Sequence, residues 1–178
     1  MTANLDNPIK RDVDLTNLHP VFRAAAQNVL ADLAAASIPL RIFEGFRSPL
    51  RQSELYAQGR TKPGKKVTFA DAWSSYHNYG AAADFVVFVN NQWTWDEPAA
   101  GMWDALHKIG KSHGVMHLDF ETPHLQLAGT SSSALRDGHY PEGGDESWAE
   151  NLAQAILTWK GSAEAPPLPQ IANKMPVG

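Results

Sequence analysis

Ser75-Tyr76-His77-Asn78-Tyr79-Gly80-Ala81-Ala82-Ala83-Asp84-Phe85-Val86-Val87-Phe88-Val89 is the stretch on which the reading of this chain turns. Phe85 to Val89 is the longest uninterrupted apolar run; it reads as a buried strand and is far too short to cross a bilayer. Asp84 opens that strand, and a carboxylate beside Phe85 and Val86 costs on the order of several kcal/mol unless it is paired or bound to a cation. His77 precedes it, with Gly80 and three alanines between them that let backbone segments approach closely. Glu121-Thr122-Pro123-His124 adds a second imidazole and a spare carboxylate. Two imidazoles and a carboxylate give three N/O ligands with a position left open, the arrangement of a catalytic zinc site, and Glu121 stands where a general base is needed. A structural zinc site closes four ligands, often thiolates, and this chain has no cysteine. Each fragment by itself is weak: from composition alone, Asp84 reads as a turn cap and His77 as a half-exposed loop histidine.

A chain of 178 residues without a low-complexity block is one domain with room for a core, and six tryptophans argue against disorder in its body. Met1 to Arg11 lacks the basic start and apolar centre of a signal peptide. The expected place is therefore the cytoplasm until another agent releases the protein. The net charge of −4 hides an asymmetry, because Arg41 to Lys66 carries seven bases against Glu44 and Glu54, a local +5. That segment is expected to steer an anionic ligand, or else to be a solvated loop with scattered bases. An acidic balance without a recurring basic–aromatic motif excludes nucleic acid as a partner. No membrane partner is expected either, and a monomer is.

Along the chain, Thr16 or Asn17 is expected to cap a helix from Pro20 to Ser37, which Ile38-Pro39 ends. Leu40 to Phe46 alternates as a strand, with Leu40, Ile42 and Glu44 on one face. Pro49 suits the first turn of a short helix through Gln58, and Gly59 to Trp73 is loop-like. Asp84 to Val89 is the buried strand, and Asn90-Asn91 a turn towards Trp93 and Trp95. Pro98 to His113 is helical with Gly114 as C-cap, and Val115 to Leu118 and His124 to Leu127 form a last pair of strands. Gly129 to Asp145 reads as a long surface loop and Glu146 to Lys160 as an amphipathic helix packed on the core. The Pro-rich stretch Gly161 to Gly178 reads as a flexible tail. Elements mixed without a strand–helix repeat give an α+β class: a small antiparallel sheet with flanking helices. Three parts are expected: a catalytic core over 1–128, a loop and helix over 129–160, and the tail over 161–178.

Arg47, placed after a strand and held between Gly45 and Pro49, has the planar fork for clamping a carboxylate or oxyanion; its alternative is a surface charge. As a cleft arginine it is expected to bear little on stability. His107 and His113 are explained as cations near a helix C-terminus, and His19 and His139 as loop or capping residues.

Leu18-His19-Pro20, Glu44-Gly45-Phe46-Arg47-Ser48, Gln52, Leu55 to Thr61, Pro63-Gly64, Val67-Thr68, Ser75 to Asp84 and Pro123-His124 together resemble the zinc peptidases of bacteriophage endolysins. These are L-alanyl-D-glutamate peptidases, related to D-alanyl-D-alanine carboxypeptidases and vancomycin-resistance dipeptidases. The resemblance covers roughly Leu18 to Leu127. It implies a zinc site like that of the hedgehog domain and the D-alanyl-D-alanine peptidases, with His77, Asp84 and His124 as ligands. It also implies Glu121 as general base, where relatives often carry Asp, and Arg47 as the arginine that polarises the substrate. Ser75, Gln52, Tyr76 and His117 are candidates for contact with substrate. The implied activity is zinc-dependent cleavage of the peptidoglycan stem peptide, between L-alanine and D-glutamate, by a phage or prophage endolysin. Alternatives are a carboxypeptidase trimming terminal D-alanine and a binding module without turnover, against which the retention of Glu121 argues.

Overall fold

Strand β2 (Ala82–Val89) is the axis of the sheet, and its neighbours follow from its register. In the computed structural model, which describes residues 9–170, β1 (Leu40–Glu44) lies antiparallel to it, with Leu40 opposite Val87 and Glu44 opposite Asp84. The pairing slips between Ile42 and Glu44, so Phe43 bulges and Glu44 returns to the level of Asp84. On β5 (Glu121–Leu127), His124 stands opposite Asp84 and Leu125 opposite Ala83; β5 in turn pairs with β4 (Val115–Leu118). Strand β3 (Gln92–Thr94) pairs with the far end of β2 across Asn90 and Asn91. Both asparagines have positive φ, 50° and 59°, the tight-turn geometry this residue type tolerates. Every pairing is antiparallel, in the order β1-β2-β5-β4, so the α+β class expected from the sequence is the class observed.

Helix α1 (Pro20–Ala35) buries Phe22, Ala25, Ala26, Val29 and Leu33, a stripe at helical spacing, and packs on β1 and on α3 (Met102–Ser112). Its cap is His19, whose Nδ1 accepts from Val21 N–H, and not Thr16 or Asn17; a 3-10 turn over Leu15–Asn17, capped by Asp14, intervenes. Helix α2 (Pro49–Ala57) starts at its proline, capped by Ser48. Helix α3 begins at Met102 and not at Pro98, because Gly101 takes φ 91° and breaks the first turn. Gly114, with φ 77°, follows its C-cap His113.

The stretch read as a surface loop from Gly129 to Asp145 contains a further helix, α4 (Ser132–Arg136), capped by Ser131 and anchored by fully buried Leu135. Helix α5 (Glu146–Thr158) buries Trp148, Ala149, Asn151 and Leu152, and Trp148 Nε1 donates to the carbonyl of Tyr79 at 2.8 Å. Residues 161–170 form no helix or strand, yet they lie against the body. Trp159 Nε1 donates to the carbonyl of Ala163, the Tyr140 hydroxyl to that of Pro167, and Pro166 is buried. The remainder of the expected tail, 171–178, lies outside the described residues, as does the start of the N-terminal stretch, 1–8. Among the described residues no helix is long and apolar enough to cross a membrane.

Candidate metal centre

Residues directly opposite one another in an antiparallel sheet project from the same face. Glu44 on β1, Asp84 on β2 and His124 on β5 therefore form a row across the sheet. His77 reaches it from the 3-10 turn Tyr76–Tyr79 that leads into β2. That turn ends at Gly80, with φ 66°, where a Cβ would come within 2.7 Å of the carbonyl oxygen of Asn17, so glycine is demanded by conformation and space together. Further bonds fix the turn to the end of β1: Arg47 N–H donates to the carbonyl of His77, and Asn78 Nδ2 donates to that of Arg47.

The three candidate ligand atoms converge. His77 Nε2 lies 3.2 Å from His124 Nδ1, and each lies 3.3 Å from Asp84 Oδ1. A tetrahedral ion with arms of about 2.0–2.1 Å holds its ligands about 3.3–3.4 Å apart. Both histidine side chains are buried. The outer ring nitrogens are spoken for: His77 Nδ1 donates to the carbonyl of Gly45 at 2.7 Å, and His124 Nε2 to Gln126 Oε1 at 3.0 Å. With a proton on each outer nitrogen, the inner nitrogens carry lone pairs. Three lone pairs then face one another with no proton between them, a donor set that fits zinc.

The surroundings bias the charge of the three groups differently. Burial, helped by the Arg47 guanidinium, holds His77 below the ordinary imidazole range. Burial also pulls on His124, but the Asp84 carboxylate outweighs it and His124 is raised. For Asp84 burial pushes upward and is overcome by both imidazoles and Arg47, so its carboxyl stays well below the usual range.

Arg47 is buried rather than a surface charge. Its Nε and Nη2 donate to Glu44 Oε2 at 3.0 and 2.8 Å, Nη1 to Gln52 Oε1 at 3.1 Å, and Nη2 also to Asp84 Oδ2 at 2.9 Å. One carboxylate oxygen of Asp84 thus faces the imidazoles while the other is held by Arg47. Arg51 also pairs with Glu44. The expected anion-steering patch is largely consumed within the fold, since Lys62 pairs with Glu54, Arg41 lies over Phe88, and Arg60 lies over Tyr56 and bonds to the carbonyl of Thr68.

Glu121 sits 3.8 Å from His124 Nδ1, one-third exposed. In a flat strand the two would face opposite ways, because side chains alternate. The β4–β5 register runs from His117 opposite Leu125 directly to Leu118 opposite Glu121, so Thr122 to His124 bulge out and Glu121 turns to the same side as His124.

A cleft of about 660 Å³ opens above this centre, and Ser75 and Tyr76 are among the residues that line it. Gln52 is not. It is fully buried, bonding to Arg47, Thr68 and the carbonyl of Ala70, so it supports the site from beneath and substrate contact is corrected to support. His117 is also outside the cleft lining; its ring stacks on His107 at 3.9 Å, and His107 donates from Nε2 to the carbonyl of Thr122 instead of serving the helix end. His113 does sit at the end of α3, against Asp32. Sequence reasoning missed Glu44 as a member of the site. Its signal was present, since it shares the buried face of β1 with Leu40 and Ile42 and is itself buried.

The VanY model, described as D-alanyl-D-alanine carboxypeptidase, matches residues 15–122. The chain belongs to this family. The matched span takes in Arg47, His77, Asp84 and Glu121 and stops short of His124. Over 82 residues the chain is 46% identical to the peptidoglycan L-alanyl-D-glutamate endopeptidase CwlK of Bacillus subtilis (strain 168), covering 46% of each protein. It therefore spans about half the length of that curated relative. Among solved structures it is similar to the L,D-carboxypeptidase DacB from Streptococcus pneumoniae, with TM-score 0.45 and 21% identity over 67% of this chain and 73% of that one. It is also similar to the L-Ala D-Glu endopeptidase ChiX of Serratia marcescens, with TM-score 0.43 and 20% identity over 65% and 84% of the two chains.

Proposed function

We propose that this VanY-family protein is a zinc-dependent endopeptidase of the peptidoglycan stem peptide, cutting between L-alanine and D-glutamate. The observation that carries the reading is the convergence of three ligand atoms, from His77, Asp84 and His124, beneath an open cleft with the Glu121 carboxylate beside them. Zinc held there would supply Lewis acidity to a peptide carbonyl. Glu121 is the general base: it is the partly exposed cleft carboxylate beside the ligand set, and it takes a proton from water and returns it to the leaving amine. Arg47 acts through Asp84, fixing the carboxylate's orientation and keeping it ionised.

The family description keeps removal of terminal D-alanine as a second reading. Recognition of a chain end calls for a cation that can clamp its carboxylate. Among the described residues, the cleft's only Lys or Arg side chains are Arg47 and Arg51, both committed to Glu44. That favours an internal bond, as does the likeness to CwlK. A phage or prophage endolysin, acting as a monomer once released to the wall, is the setting we propose from the sequence resemblance.

Replacement of Glu121 by Gln tests the role assigned to the carboxylate. The amide keeps the shape and removes the proton acceptor, so zinc content should be retained while turnover of a stem peptide falls by about a hundredfold or more. Near-normal turnover with full metal content would remove Glu121 from the chemistry.

A further inference from the structure

Among the described residues, the exposed Phe and Trp side chains are Phe69, Trp95 and Phe120, and all three line the one cleft above His77, Asp84 and His124. Phe69 is 76% exposed and Phe120 68%, yet their rings meet edge to face at 6.3 Å. They come from separate parts of the chain: Phe69 from the loop between α2 and β2, Phe120 from the turn between β4 and β5. Apolar rings left so open contribute little to the core, and grouped at a cleft they mark a contact surface.

The backbone beneath them is held. On either side of Phe69, Thr68 Oγ1 and the carbonyl of Ala70 both accept from Gln52 Nε2, at 3.3 and 2.6 Å, and Arg60 Nη2 donates to the carbonyl of Thr68 at 3.1 Å. Gln52 is the same residue that accepts from Arg47. Phe120 directly precedes Glu121, whose position is fixed by its pairing with Leu118. Each exposed ring is thus mounted on backbone that also sets part of the catalytic floor.

We propose that Phe69 and Phe120 form an apolar clasp across the cleft mouth that grips an uncharged, CH-rich group of the substrate flanking the scissile bond. This rests on the stem-peptide reading and deepens it. The floor offers carboxylates and imidazoles to the reacting bond, and the rim offers rings to its neighbours. Two parts of the substrate have the required chemistry, the methyl groups of alanine and the CH face of a sugar ring attached to the peptide. Binding energy drawn from such a flank positions the reacting bond.

Binding is read by calorimetry in the Glu121→Gln background, so that turnover does not interfere, with a stem peptide alone and with the same peptide attached to its disaccharide. Phe69→Ala and Phe120→Ala should each raise Kd about five- to tenfold. Phe69→Trp and Phe120→Trp should restore most of the loss, and zinc content and Tm should not move. An effect on both ligands assigns the clasp to alanine methyl groups, and an effect on the disaccharide-linked ligand alone assigns it to the sugar. A double alanine variant with Kd within twofold of the parent for both ligands would overturn the clasp, as would a loss that tracks a fall in Tm or absence of binding by the parent. Cleavage of the same peptides by the unsubstituted protein reports separately on the stem-peptide reading.

Discussion

Arg47→Lys keeps the charge and removes the fork, and the structure makes its cost calculable. The guanidinium makes four hydrogen bonds, two to Glu44 and one each to Gln52 and Asp84. A lysine nitrogen, shorter in reach and unable to span Glu44 and Asp84 in one plane, makes at most two of these. Bonds to charged groups contribute about 1.5–3 kcal/mol each. Two unmade bonds, partly recovered because Arg51 still holds Glu44, leave a loss of about 3 kcal/mol. For a chain of this length that lowers Tm by about 6–12 °C. Freeing the second oxygen of Asp84 should also weaken zinc by about ten- to a hundredfold, the scale for losing a partner that orients a ligand. Scanning calorimetry of the chelated protein and a competition titration with a zinc dye measure the two effects. A Tm within about 2 °C of the parent together with unaltered zinc affinity would refute the reasoning and return Arg47 to the role the sequence alone indicates, a substrate clamp without structural weight.

Two further substitutions test the framework around the site. Gly80→Ala places a Cβ 2.7 Å from the carbonyl oxygen of Asn17 at a left-handed φ, so Tm should fall by several degrees and zinc retention with it, since the turn carries His77; unchanged metal binding in that variant would show that the turn can shift freely. Asp145 caps α5 and pairs with Arg23, and although burial pushes its carboxyl up, Arg23 and the Trp148 amide outweigh that and hold it below the usual range. A depressed carboxyl stabilises above its ordinary value and loses that contribution as pH falls through the folded one. The gap in Tm between the parent and Asp145→Asn should therefore be open at neutral pH and close below about pH 4; a gap independent of pH would assign the effect to packing.

What the sequence made legible was local. Phe85 to Val89 could only be a buried strand, α1 and α5 showed their stripes, and the combination of His77, Asp84, Glu121 and His124 stood out by residue type and spacing. Less visible was whatever depends on register. That Glu44 joins Asp84 and His124 in one row follows from the bulge around Phe43, that Glu121 turns to the same side follows from the bulge over Thr122 to His124, and no single strand's pattern encodes how its partner slips. Arg47 and Arg51 counted as free charge in the sequence because their shared partner, Glu44, is a neighbour only once β1 ends against α2. Helix α4 was hidden because a run of Ser is the signature of a loop and of a helix cap alike, and only buried Leu135 separates them.

Mass analysis of the products released from purified muropeptides, with and without a chelator, tests the central claim most directly. The account predicts fragments with a new D-glutamate N-terminus, lost on chelation and recovered when zinc is restored. Release of terminal D-alanine instead, or the same products at the same rate after the metal is stripped, would contradict it.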